Sequence, residues 1–117
     1  MTLAPLTARP LDPAEVAGLI AALVTDAKLL PGITRVILFG SAAENRMTEA
    51  SDLDAVLIFS TAEEARQAQK AFYVQRTFSW PVDAICVDVE TFNERSRFGG
   101  VLYVAAREGR VVFERGE

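Results

Sequence analysis

The sequence has no histidine and only one cysteine, Cys86, among its 117 residues. The absence of histidine excludes His-containing catalytic triads, a histidine general base and histidine metal ligands. The lone cysteine excludes an intrachain disulfide, and its position in the apolar run 82–89 predicts a small buried side chain. A metal site in this chain must therefore use oxygen ligands, which are the donors that suit Mg²⁺ or Mn²⁺.

Long apolar runs and long basic runs are also missing. The apolar run 17–24 ends at Thr25-Asp26, and no window approaches the length of a membrane span. The N-terminus lacks a basic region followed by a long apolar core, so a cytoplasmic protein is the default expectation. The formal net charge is −4 without a basic block, which does not indicate a nucleic-acid-binding groove.

The remaining composition and patterning predict a single α/β (or α+β) domain. Half of the residues are hydrophobic and 24% are charged, as expected for a chain with one compact core. Residues 1–11 are predicted to form an extended arm, and residues 12–117 the domain. Asp12-Pro13-Ala14-Glu15 is typical of a helix start. The predicted elements begin with a helix that Pro31-Gly32 ends, then strands over 33–39 and 53–59 with a helical turn over 42–47 between them. A helix over 62–76, a strand over 82–89, a helix over 91–107 interrupted by Gly99-Gly100, and a strand over 110–114 follow.

The most informative segment joins the first two predicted strands. Strand 33–39 ends at Gly40-Ser41, ten residues follow, and Asp52 and Asp54 open the next strand. Such a connection is short for a parallel crossover, so we expect antiparallel strands, which return both aspartates to the neighbourhood of Ser41. Gly40 permits a ligand to approach the backbone closely, and Ser41 offers a hydroxyl and N–H groups to an anion.

The acidic residues indicate a metal site. Asp52 and Asp54 are two residues apart in an extended chain, so their carboxylates project from the same face. Carboxylates so close repel each other unless a cation lies between them. Asp83 opens another apolar strand and is the candidate third carboxylate for a site with two metal ions. Asp88 is the competing acid, but it lies on the opposite face of that strand.

Taken together, the pattern resembles the GS…DxD…D signature of the DNA polymerase β-like nucleotidyltransferase superfamily. Size and spacing are similar to its minimal nucleotidyltransferases, the MNT antitoxins partnered with HEPN toxins, over roughly residues 12–114. The resemblance implies the nucleotidyltransferase fold, a small mixed β-sheet flanked by helices. It also implies that Gly40 and Ser41 bind nucleotide phosphates, and that Asp52, Asp54 and Asp83 form the catalytic set that binds Mg²⁺ (or Mn²⁺).

The resemblance further implies an activity and a partner. The activity is metal-dependent transfer of AMP from ATP to a hydroxyl, and the partner is a HEPN-type toxin whose tyrosine is the acceptor. Members often have Arg-Ala-Arg-Gly after the Gly-Ser, whereas this chain has Ala42-Ala43-Glu44-Asn45. Two cations are lost and an anion is gained, although Arg46 is a candidate replacement.

Two alternatives stay open. The first is a weakly active or inactive antitoxin that acts by binding its partner, and the second is a small-molecule nucleotidyltransferase. The chain is short for the second domain with which the latter class usually holds its acceptor. Arg95 and Arg97 fit either a phosphate- or partner-binding role or a solvated helix face, and the sequence leaves the acceptor, the nucleotide preference and a possible oligomer undetermined.

Overall fold

A four-stranded mixed sheet forms the centre of the protein. The computed structural model describes residues 8–115. The elements are α1 Pro13–Ala27, β1 Ile33–Phe39, a 3-10 turn Gly40–Ala42, β2 Leu53–Phe59, α2 Ala62–Gln75, β3 Val82–Asp88, α3 Val89–Arg95, α4 Val101–Glu108 and β4 Arg110–Glu114. The strand order is β3-β2-β1-β4, with β1 antiparallel to both of its neighbours and β2 parallel to β3. The predicted fold class and the antiparallel pairing of the first two strands are confirmed.

The local signals for helix starts act as predicted. The backbone N–H of Glu15 donates to the Asp12 carboxylate at 2.8 Å, and the N–H of Asp12 donates back to the Glu15 carboxylate at 3.0 Å. This reciprocal pair satisfies two N–H groups that have no partner inside α1. At the starts of α2 and α3 only one of these two bonds forms: the Thr61 side chain accepts from the N–H of Glu64, and the Asp88 side chain from the N–H of Thr91.

The sheet separates two apolar layers. Alternate residues of β2 point to opposite faces, and both faces are covered, so the strand is buried almost throughout. Leu57 and Phe59 pack on the face covered by α1 and α2. Val56 and Ile58 pack on the face covered by α3 and α4, together with Phe92. Asp54 precedes Val56 by two residues and therefore lies on the second face, beyond the apolar layer.

Some predicted boundaries are wrong, for local reasons. The helical turn expected over 42–47 is only the 3-10 turn Gly40–Ala42, because Asn45 takes a left-handed conformation with φ 57° that no helix can continue. The strand expected over 82–89 ends at Asp88, since that residue caps α3. The first helix ends at Ala27, before its predicted end at Pro31-Gly32. The predicted interruption at Gly99-Gly100 is confirmed, because α3 ends at Arg95 and α4 begins at Val101.

The predicted N-terminal arm is described only in part, because residues 1–7 lie outside the described residues. Pro10 forms an antiparallel bridge with Thr48. The N–H of Leu11 donates to the carbonyl of Met47 at 3.0 Å, so this segment lies along the loop that precedes β2. None of the helices within residues 8–115 is long and apolar enough to cross a bilayer.

Candidate active site

One end of the sheet brings the predicted site residues together. Phe39, the last residue of β1, is paired with Asp54 near the start of β2 because these strands are antiparallel. Asp83 is paired with Asp54 in the parallel β2–β3 ladder. Paired residues of neighbouring strands lie about 4.8 Å apart and point to the same face. Asp54 and Asp83 are therefore direct cross-strand neighbours, and Asp52 precedes Asp54 on the same side.

Gly40 lies directly against the Asp54 carboxylate. Its φ of +71° is a left-handed conformation that glycine adopts readily, and a Cβ added to it would be 2.7 Å from Asp54 Oδ2. Real Cβ atoms essentially never approach another atom so closely. The Gly40 backbone therefore lies in contact with the Asp54 carboxylate, as the spacing of the motif predicted.

The electrostatics of Asp54 reflect its acidic neighbours. Partial burial raises the pKa of this carboxyl, and the negative charges of Asp83 and Asp52 raise it further. Asp52 and Asp83 themselves are exposed to solvent. A proton on the Asp54 carboxyl, or a cation placed beside it, therefore relieves the repulsion from its two acidic neighbours.

The donors at this end of the sheet suit a hard divalent cation in kind, because all of them are carboxylate or hydroxyl oxygens. Within residues 8–115, no three acidic or cysteine side chains already stand close enough together to hold a metal ion. Asp52, Asp54 and Asp83 are thus neighbours on one face without forming an assembled ligand cage. Their assignment as metal ligands stays a prediction.

The loop after Gly40 places two charges together. Ser41 is half-buried in the 3-10 turn, and its carbonyl accepts from the N–H of Arg46 at 2.9 Å. The Arg46 guanidinium donates to the Glu44 carboxylate through Nη2 at 2.7 Å and Nε at 3.0 Å. Arg46, the candidate replacement for the arginines that family members often have, is therefore paired with Glu44, the acid that stands in their place.

Trp80 and Pro81 anchor the start of β2, a role that the sequence analysis did not assign. Trp80 Nε1 donates to the carbonyl of Ser51 at 2.8 Å, and the N–H of Leu53 donates to the carbonyl of Pro81 at 2.9 Å. These bonds hold the peptide groups on both sides of Asp52. The only sequence signal was the general need of a half-buried indole N–H for an acceptor, which does not identify the acceptor.

The remaining candidates have structural explanations. The Asp88 carboxylate accepts from the N–H of Thr91 at 3.0 Å and caps α3, at the opposite end of β3 from Asp83. Cys86 is half-buried against the core, and burial raises the pKa of its thiol to about 12, so it stays uncharged. Arg95 and Arg97 are exposed, and the Arg97 guanidinium lies 6.0 Å from the centre of the Phe98 ring.

Comparison with known proteins gives a family and a fold. The model of the family described as "Nucleotidyltransferase domain" matches residues 20–112. A Sulfolobus solfataricus protein provisionally named a nucleotidyltransferase has a similar structure, with a TM-score of 0.53 and 19% identity over 86% of this chain and 80% of that one. A mutant of the toxin–antitoxin MntA–HpeT gives a TM-score of 0.46 and 16% identity over 84% of this chain and 73% of that one. No curated protein matches the chain.

Proposed function

Because the chain belongs to the nucleotidyltransferase domain family, we propose that it transfers AMP from ATP to a hydroxyl group in a reaction that depends on Mg²⁺ or Mn²⁺. The observation that carries this proposal is the contact between Gly40 and the Asp54 carboxylate, with Asp83 in register beside it. A phosphate on the bare Gly40 backbone and a cation on Asp54 would then be immediate neighbours. The proposal treats residues 12–117 as one nucleotidyltransferase domain.

The proposed reaction is an in-line displacement at phosphorus. The acceptor oxygen attacks the α-phosphorus of ATP and forms the new P–O bond, and the bond between the α-phosphorus and the oxygen leading to the β-phosphate breaks. Pyrophosphate leaves with that electron pair, and the acceptor proton passes to the Asp83 carboxylate or to water. Bound Mg²⁺ would neutralise charge on the phosphates and on the leaving pyrophosphate. The chain itself contributes mainly positioning, through Gly40, Ser41 and the three carboxylates.

We propose a tyrosine of a HEPN-type toxin as the acceptor, which would make the chain an antitoxin. The support for this partner is the resemblance of the Gly40-Ser41 and Asp52/Asp54 spacing to that of the MNT antitoxins. A folded partner would supply the acceptor hydroxyl.

The test uses ATP labelled at the α-phosphate, Mg²⁺ and the product of the adjacent reading frame. We expect label on the partner with the wild-type protein and a loss of about 100-fold or more with Asp54→Asn, because one charged ligand is removed from the transition state. Asp88→Asn is the matched control, since it makes the same change on a neighbouring strand and asparagine is as good a helix cap. No labelling by wild type would refute AMP transfer, and equal labelling by wild type and Asp54→Asn would refute its dependence on this site.

A second candidate, an antitoxin that acts by binding alone, is favoured by the Glu44–Arg46 ion pair. The charge of the paired guanidinium is already compensated beside the expected phosphate position. In this case the double variant Asp52→Asn/Asp54→Asn should neutralise the toxin as well as wild type does. Loss of neutralisation by that variant, with its fold and its partner binding intact, would exclude this candidate.

A further inference from the structure

The outer edge of β3 lies next to the candidate site, and within residues 8–115 no strand lies beyond it. The peptide groups of an edge strand alternate, so that every second residue turns its N–H and C=O away from the sheet. In β3 the even-numbered residues face outward, and those beside the candidate site are Val82, Ala84 and Cys86, because the odd-numbered residues between them belong to the ladder with β2. Asp83 is thus flanked on both sides by peptide groups that the sheet itself does not hold.

Tyr73 of α2 binds the peptide groups on both sides of Asp83. Its hydroxyl accepts from the N–H of Ala84 at 2.8 Å. The same oxygen lies 3.3 Å from the carbonyl of Val82 and 3.4 Å from that of Ala84. One hydroxyl carries one proton, so it donates to one of these carbonyls at a time while accepting from the Ala84 N–H.

Gln69 continues the same row of contacts, one helical turn earlier in α2. Its Nε2 donates to the carbonyl of Ala84 at 2.9 Å, and its Oε1 accepts from the N–H of Cys86 at 2.9 Å. A carboxamide with one donor and one acceptor reproduces what a peptide group of a further strand would offer. The residues are four apart, so both side chains leave the same face of α2.

We propose that Tyr73 and Gln69 are positioning residues for Asp83: they fix the outer edge of β3 and thereby hold the Asp83 carboxylate in register beside Asp54. The role assigned to Asp83 rests on the proposed function. The hydrogen bonds to the β3 backbone do not depend on it. If these residues only stabilised the edge of β3, removing their hydrogen bonds would have the same effect on Mn²⁺ affinity with or without the Asp83 carboxylate.

A positioning role and a purely structural role predict different Mn²⁺ affinities when substitutions of Tyr73 and Asp83 are combined. Tyr73→Phe removes only the hydroxyl, and we expect faster hydrogen exchange of the Ala84 amide by about 3- to 10-fold, the range for losing one hydrogen bond. We expect Mn²⁺ to bind several-fold more weakly to Tyr73→Phe than to wild type. In an Asp83→Asn background, Tyr73→Phe should produce no further loss of Mn²⁺ affinity.

Tyr103→Phe is the matched control, because it makes the same change at the chain's other tyrosine, whose hydroxyl makes no hydrogen bond within residues 8–115. Gln69→Leu is the second variant, since it removes the donor to Ala84 and the acceptor for Cys86 without adding a charge. We expect faster hydrogen exchange of the Cys86 amide and the same several-fold weaker Mn²⁺ binding, so this variant tests the proposal even if Tyr73→Phe folds poorly.

Three results overturn the proposal: an unchanged exchange rate at Ala84, an equal loss of Mn²⁺ affinity with and without the Asp83 carboxylate, or an equal effect of Tyr103→Phe. A wild-type protein that binds no Mn²⁺ overturns it together with the metal dependence of the proposed function. Mn²⁺ binding that follows the expected cycle without any AMP transfer supports the positioning role and refutes only the proposed reaction.

Discussion

Gly40→Ala is the sharpest perturbation of the candidate site, and its cost follows from two separate terms. The first is the left-handed backbone at φ +71°, which costs a residue with a Cβ roughly 1–2 kcal/mol. The second is the contact of the new Cβ with Asp54 Oδ2 at 2.7 Å, which forces the carboxylate out of its rotamer at about 0.5–1.5 kcal/mol. The expected loss in the free energy of unfolding is roughly 1.5–3.5 kcal/mol, or about 6–14 °C in Tm for a domain of this size.

Two other glycines separate these terms. Gly99 also has a positive φ, +97°, but a Cβ added there would meet nothing within 4 Å, so Gly99→Ala isolates the backbone term. Gly18 lies inside α1 with open space around it, so Gly18→Ala should stabilise the protein by up to about 1 kcal/mol. Urea denaturation measures all three variants, and Mn²⁺ titration shows whether the carboxylate has moved.

Only Gly40→Ala should impair Mn²⁺ binding, because only there does the added carbon meet a candidate ligand. The reasoning would be refuted by a Gly40→Ala protein that is no less stable than Gly99→Ala and binds Mn²⁺ like wild type. Weakened binding in Gly99→Ala would equally show that backbone strain alone, rather than contact with Asp54, governs the effect.

Further predictions concern other parts of the molecule. Asp26 is 7% exposed and accepts hydrogen bonds from the N–H and the hydroxyl of Thr77. Asp26→Ala should therefore lower the free energy of unfolding by about 2–3 kcal/mol in urea denaturation, and a change below the measurement error would contradict this. The pKa of Asp54 is raised in the folded state, so its charged form destabilises the fold when no metal is bound. Metal-free wild type should therefore lose stability relative to Asp54→Asn as pH rises through that pKa, while Mn²⁺ binding improves. A stability difference between the two proteins that is independent of pH would refute this. Asp83→Asn should move the pH midpoint of Mn²⁺ binding downwards, since one repelling charge is gone. Glu44→Gln should tighten ATP binding at low salt by freeing the neighbouring guanidinium, and unchanged affinity would show that this cation does not reach the phosphates.

Much of the fold could be predicted because its signals are local. The β1 and β2 bounds follow from short apolar runs ended by Gly40-Ser41 and opened at Asp52, and the α1 start follows from Asp12 and Glu15. The boundaries that were wrong depended on one residue's conformation or on a cap. Asn45 takes a positive φ, and Asp88 serves α3 rather than continuing β3. Neither choice is visible in hydrophobic periodicity.

For the candidate site, the sequence by itself limited the chemistry: without histidine, the acidic side chains offer only oxygen donors, and Gly40-Ser41 with Asp52 and Asp54 marks the candidate segment. Only the tertiary structure decided which residues are neighbours. The pairing of Asp83 with Asp54 requires β3 to lie parallel to β2 in one particular register, and the Glu44–Arg46 pair requires a loop conformation. Residue type and short spacing are properties of the chain, whereas strand order and register come from burying both faces of β2 against distant segments.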